Sequence, residues 1–277
     1  MLAARAVAEA RACWARMVGR GGCCNPRRGA RREAALAGSP PRRKPTVARG
    51  MMYSGPGSHD ISKGLTDPDL LRVLHWWFGP EWSKNRAVLR SPEYAKARSR
   101  MWYMGGKEVD FECRQLEYII EQCSKPEGQS DEWDTKAGLL ARIIALDQIT
   151  RGAFRGTAKA FEYDPLALKY SKLVWSRGWD AVYEPPEYNF VLSPLLHSEE
   201  LDDQYEYIDR AKHVHEASGG TLNDEGLKFA RDHAAVIERF GRFPHRNFAL
   251  GRESTREELE WLASDECPGW AKSQSKR

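Results

Sequence analysis

Between Glu238 and Glu253 the chain carries Arg239, Arg242, Arg246 and Arg252, together with His245 and Asn247 and no carboxylate. Phe240, Phe243, Phe248 and Leu250 are interleaved with them. Guanidinium groups set among apolar residues need a partner, because an uncompensated buried charge is strongly unfavourable. Two kinds of partner fit: acidic residues elsewhere in the fold, or a bound anion. Arg242, Arg246 and Arg252 are planar forks suited to bidentate capture of a carboxylate or phosphate, and His245 and Asn247 can donate beside them. Arg151 and Arg155, one helical turn apart, can join such a site.

A second pattern concerns proton transfer. His197-Ser198-Glu199 places an imidazole beside a carboxylate, and with His245 it could move protons on an anion held by the arginines. That chemistry would suit hydrolysis or isomerisation of a small anionic molecule. In the alternative reading Ser198 caps a helix that Glu199 favours through the dipole, and His197 is a packing residue. The arginines have a structural alternative too, pairing with Asp147, Glu199, Glu200, Asp202 and Asp203.

The elements that must position these residues are helical. Apolar periodicity marks helices at 92–104, 107–123, 132–151, 165–177, 198–217, 222–240 and 255–264, after a first one opened by Asp67-Pro68 and stopped by Gly79-Pro80. No segment sustains the period-2 alternation of a strand, so the chain reads as all-α. Leu140, Ile144, Asp147 and Arg151 share one helix face, which predicts that Asp147 and Arg151 are semi-buried and paired. His197, Leu201, Tyr205 and Ile208 form a second stripe, and Phe229, His233, Val236 and Phe240 a third. These polar residues are expected to meet in the interior or at a cleft.

Charge divides the chain. Residues 1–50 hold eleven Arg and Lys44 against Glu9 and Glu33, a net of +10, so the +4 of the whole chain leaves −6 on the remainder. A negative body gives no general reason to bind nucleic acid or an anionic membrane. Ala3, Val7, Ala10, Trp14 and Val18 recur at helical spacing opposite Arg5, Arg16 and Arg20, the pattern of an organelle transit peptide. With Ser39 the only serine there, a mitochondrion is favoured over a plastid; translation from Met51 or Met52 would leave the protein cytoplasmic. Residues 51–66 read as a linker, 67–265 as one helical domain and 266–277 as a tail.

Motifs for other chemistry are absent. There is no G-x-S-x-G, Walker A or G-x-G-x-x-G sequence, and His213 and His215 point to different sides of a helix. Cys113, Cys123 and Cys267 form no C-x-x-C pair. No metal site and no cofactor are expected, and no oligomeric state follows from the pattern.

Several blocks together carry a resemblance. They are Trp76-Trp77-Phe78-Gly79; Leu146-Asp147-Gln148 with Arg151 and Phe154-Arg155-Gly156-Thr157; Ala160-Phe161 with Asp164; Leu196-His197-Ser198-Glu199; and Arg239 through Asn247 with Leu250-Gly251-Arg252. In this order, over residues 68–264, the chain resembles the domain-of-unknown-function family 924. The resemblance implies a tetratricopeptide-like superhelix of antiparallel helical hairpins. No repeat of about 34 residues with the tetratricopeptide signature is present, so that stacking is implied by the resemblance alone. The family usually has Phe-Pro before the Arg151 position and Asn after it, where this chain has Ile149-Thr150 and Gly152.

Three functional readings follow. The chain binds an anionic metabolite or a peptide partner through Arg151, Arg155, Arg242 and Arg246; or it is an enzyme on a small anion, with His197 and Glu199 as the acid–base pair; or the polar residues form a purely structural network.

Overall fold

The computed structural model describes residues 60–125, 127–217 and 224–274. The expected leader, 1–50, and the first part of the expected linker lie outside the described residues. All regular structure among the described residues is helical. Twelve α-helices are described: α1 Pro68–Phe78, α2 Pro92–Ser99, α3 Lys107–Gln115, α4 Glu117–Ser124, α5 Lys136–Ile143, α6 Thr150–Ala153, α7 Asp164–Ser176, α8 Pro185–His197, α9 Leu201–Ala217, α10 Asp224–Phe240, α11 Arg256–Ala263 and α12 Gly269–Gln274. None of them is long and apolar enough to cross a membrane.

Helix α1 starts as the sequence predicts. The Asp67 side chain accepts from the backbone N–H groups of Asp69 and Leu70, Pro68 occupies the first turn, and Gly79 ends the helix at φ 93°. The α1 carbonyls left open at its end are taken by Arg98 and Trp102: Trp102 Nε1 donates to Trp77 O at 2.9 Å, and the Arg98 guanidinium donates to Trp76 O and Trp77 O.

Helices α5 and α6 are one continuous helix interrupted by a π-turn at Ile144–Ile149. Widening the helix disturbs the backbone ladder, and Thr150 Oγ1 donates to Leu146 O at 2.9 Å there. This helix is buried along nearly its whole length, and α7 and α8 pack against it. Close approach of α3 to α6 requires a glycine: a Cβ on Gly152 would lie 2.5 Å from Cys113 Sγ.

Helix α8 escaped the periodicity reading because Pro185, Pro186 and Pro194 look like punctuation. The first two occupy the opening turn, where no N–H is needed, and Glu184 and Glu187 complete a capping box. Pro194 withdraws the backbone donor that Phe190 O would receive. Ser193 Oγ lies 2.9 Å from that carbonyl. At the far end Gln204, fully buried on α9, donates from Nε2 to Leu196 O and Ser198 O, both at 2.7 Å.

Two boundaries differ from the sequence reading. The segment read as linker reaches into the packed body, since Ile61 and Ser62 are buried. The segment read as a tail contributes Cys267 and Ala271 to a second apolar cluster with Val236, Ile237, Phe243 and Trp261. Short stretches rich in Gly, Ser and charge lack periodicity, which is why neither was legible.

The anchor of α8 is ionic. Glu187, without exposed surface, accepts from Trp82 Nε1 at 2.6 Å, from the Glu184 N–H at 2.7 Å and from Arg86 through Nε and Nη2. Removing one member of such a buried set strands the other charge. Glu187→Gln is expected to lower unfolding stability by about 3 kcal/mol, read from urea denaturation; an unchanged midpoint and slope would contradict a buried ion pair here.

Candidate functional site

The π-turn carries Asp147, which has no exposed surface. Its Oδ1 receives His197 Nδ1 from the end of α8 at 2.6 Å, and its Oδ2 receives Ser193 Oγ and Gln148 Nε2, each at 2.6 Å. Arg151, one turn further along, places Nη2 3.7 Å from Oδ1. Burial pushes the Asp147 carboxyl up, but the charge and hydrogen bond of His197, the Arg151 cation and Ser193 outweigh it and hold the group below the usual carboxylate range. It is therefore ionised, and His197 Nδ1–H is the donor. His197 Nε2 has no partner among the described residues, and the side chain is 23% exposed.

The network continues from Arg151. Its Nη2 stands 2.7 Å from Asp164 Oδ1, at angles that make the contact Coulombic rather than a directed hydrogen bond, and its Nη1 donates to Ala160 O. Asp164 Oδ2 in turn faces Arg246 Nη1 at 3.4 Å. Phe161 lies against both cations, with each Cζ 4.8 Å from the ring centroid, and Phe243 lies 4.6 Å from that of Arg246. Ion pairs thus link Arg246, Asp164, Arg151 and Asp147 in one chain, and a hydrogen bond joins Asp147 to His197.

Arg246 is incompletely partnered. Its side chain is 7% exposed, Nε is buried without a partner, and Nη2 meets no acceptor among the described residues. Burial lowers its pKa to about 10, with Asp164 opposing and Arg151 adding to the shift. Beside it, His245 is buried with Nδ1 unpartnered, and burial and the Arg246 charge push its pKa well down. His233 donates from Nδ1 to Phe229 O at 2.9 Å and stacks on Trp270 at 3.8 Å; burial lowers its pKa to about 3. Both rings are held neutral.

The structure therefore divides the residues expected at the site. Asp147, Arg151, His197, His245 and Arg246 come together. Arg155 does not join them: Nε and Nη2 grip Asp110 at 2.8 and 2.7 Å. Arg242 holds Glu258 in the same way at 2.7 and 2.9 Å. Arg252 donates Nη1 and Nη2 to Glu199, and its Nε to Asn247 Oδ1. Asn247 Nδ2 reaches Ser254 and Glu258. Arg242, Asn247 and Arg252 tie the 241–252 loop to Glu258 of α11 and to Glu199 in the α8–α9 connection, after Gly241 at φ 65° has ended α10.

Glu199 is accordingly a loop anchor. It also accepts from the Phe243 N–H at 2.8 Å, and although burial raises its pKa, Arg252 and that N–H lower it overall. The carboxylate that partners His197 is Asp147, where the sequence reading had proposed Glu199. Two members of the cluster were not among the expected site residues. Asp164 reads as the start of a helix before Pro165, and His233 was legible only as the polar member of an apolar stripe.

The described residues form an all-helical body crossed by a chain of buried and half-buried charges. The chain belongs to the family of bacterial proteins of unknown function, DUF924, whose model matches residues 73–266. It is similar to a solved protein of unknown function from Agrobacterium tumefaciens, ATU0120, at 30% identity and a TM-score of 0.54, over 61% of this chain and 91% of that one. No curated protein matches the chain. The resemblance read over 68–264 is thus confirmed.

The neutral histidines set a pH dependence. An unfolded histidine takes up a proton near its ordinary value of about 6.5, while folded His233 resists until about 3 and His245 is shifted in the same direction. Between these values the unfolded state binds more protons, so stability falls as pH falls, by up to about 1.4 kcal/mol per pH unit for each histidine. Asp147, with its depressed value, loses its contribution only below the ordinary carboxylate range. Urea melts from pH 8 to pH 4 should show a decline setting in below about pH 6.5 that is reduced in His233→Phe; a flat profile would contradict neutral burial.

Proposed function

We propose that the protein binds a small anion through Arg246, with a carboxylate or phosphate lying against its Nε and Nη2. The observation that carries this is an unfilled fork. Arg86, Arg155 and Arg242 each turn the Nε–Nη2 edge onto a carboxylate of the chain. The same edge of Arg246, with Nε buried, meets no acceptor among the described residues. A planar pair of parallel donors has the spacing of two carboxylate or phosphate oxygens, and in a low-dielectric setting such a bond is strong. Neutral His245, with its unpartnered Nδ1, supplies a further polar contact.

The ligand is therefore a metabolite or the carboxylate of a peptide. Arg155, Arg242, Arg252 and Asn247, expected at first to share the site, belong in this reading to the scaffold around it. The tetratricopeptide-like stacking of helical hairpins and delivery to an organelle by residues 1–50 belong to the same proposal; the basic, acid-poor composition of that segment supports the second.

A ligand that binds only the folded state raises its melting temperature in proportion to the logarithm of its concentration. Millimolar succinate or inorganic phosphate should raise the melting temperature of the wild type above that in chloride of equal ionic strength. Arg246→Lys, which keeps the charge and loses the fork, should abolish most of the rise. An equal rise in both proteins would remove Arg246 from the site.

A further inference from the structure

We propose that His197 and Asp147 form a proton-transfer dyad that hydrolyses an ester whose carboxylate is anchored on Arg246. The inference rests on the anion site just described and adds a reaction to it. Asp147 is fixed on three sides, by Ser193, Gln148 and Arg151, so its Oδ1 holds the imidazole in one orientation and one tautomer. With Nδ1 carrying the proton, Nε2 is the basic atom. It lies on the open side of the pair, where water has access, while the carboxylate behind it is sealed.

The geometry also selects the nucleophile. Ser193, the hydroxyl beside the dyad, is buried between Asp147 Oδ2 and Phe190 O, and its one proton is shared between those acceptors. It bonds to the carboxylate and not to the imidazole, so it is not placed for activation by His197. Cys113 lies against Gly152 and is pushed up to about 12 by burial, which leaves no thiolate. Water is the remaining nucleophile.

In the step, water gives a proton to His197 Nε2 as its oxygen bonds to the ester carbonyl carbon. The carbon–oxygen bond to the alcohol then breaks, and the departing oxygen takes the proton from Nε2. One water is consumed, an acid and an alcohol are released, and the dyad is restored. Asp147 acts as a positioning residue that also stabilises the transient imidazolium. Arg246, connected to the dyad through Asp164, Arg151 and Asp147, holds the remote carboxylate on its Nε–Nη2 edge.

The test uses the full chain with 4-nitrophenyl hemisuberate, an ester whose carboxylate is too distant to attack its own carbonyl, beside the neutral 4-nitrophenyl acetate, with the protein-free rate subtracted from each. Saturable release of nitrophenol is expected, faster from the anionic ester. His197→Ala should lower it by on the order of 100-fold, and added imidazole should restore part of it. His197→Gln serves where His197→Ala does not fold. Asp147→Asn should lower kcat and displace the acid limb of the pH–rate profile, which a merely structural role would leave in place. Melting temperatures with succinate separate the two proposals. A succinate-dependent rise without His197-dependent turnover would overturn the dyad and leave the anion site standing. Absence of both would overturn both. Equal rates on the two esters would overturn the anchoring that the inference requires.

Discussion

A carboxylate without access to water governs the centre of this protein. Asp147 sits in a helix buried along nearly its whole length, and its charge survives there only because four side chains converge on it. Desolvation of an ionised carboxylate is costly, and removal of any partner exposes that cost. The partners come from two elements: Gln148 and Arg151 from the π-turn and the turn after it, Ser193 and His197 from α8. The relative placement of those helices is thereby bound to the satisfaction of one charge. The buried Glu187 does similar work at the other end of α8 by gripping Arg86 and Trp82.

The same requirement explains how the arginines divide. A guanidinium has more donors than one carboxylate can satisfy, so the arginines that stabilise the fold take bidentate acids, backbone carbonyls or amides. Arg252 uses Glu199, Asn247 and Phe243 O together. Arg142, buried near Trp133 and Tyr170, donates to Trp133 O and Tyr170 Oη. Arg246 is equally buried and lacks this completeness. Its companions are one oxygen of Asp164, aromatic faces and neutral histidines, which together leave the Nε–Nη2 edge without an acceptor among the described residues.

Much of the fold was legible because helical periodicity and capping signals are local. Asp67-Pro68 and Gly79 bound a helix as written, and the shared face of Leu140, Ile144, Asp147 and Arg151 correctly anticipates a buried acid paired with a base. Proline was the weak point. Pro185, Pro186 and Pro194 are tolerated because the first turn needs no donors and Ser193 compensates the third, a side-chain arrangement that spacing does not reveal. The site was legible in its residue types and less so in its pairings. Glu199 stands two residues from His197 in sequence, yet the carboxylate that reaches the ring comes from fifty residues upstream. Which acid meets which base depends on how α8 lies against the π-turn, a tertiary fact.

The order of charges has a further consequence. From Arg246 through Asp164 and Arg151 to Asp147 the sign alternates, Asp164 and Arg151 each have an opposite charge on both sides, and His197 closes the chain with a hydrogen bond to Asp147. The two ends have one neighbour each. One end is a guanidinium whose fork is empty among the described residues, and the other is an imidazole whose outer nitrogen is free there. Filling Arg246 with a carboxylate of the chain, as at Arg86 and Arg242, would complete its hydrogen bonding and also remove any affinity for an external anion. On the anion-binding reading proposed above, the incomplete compensation of Arg246 is what would let this end of the network distinguish a bound state from an unbound one, while the completed pairs around Asp147 keep the other end in a single geometry.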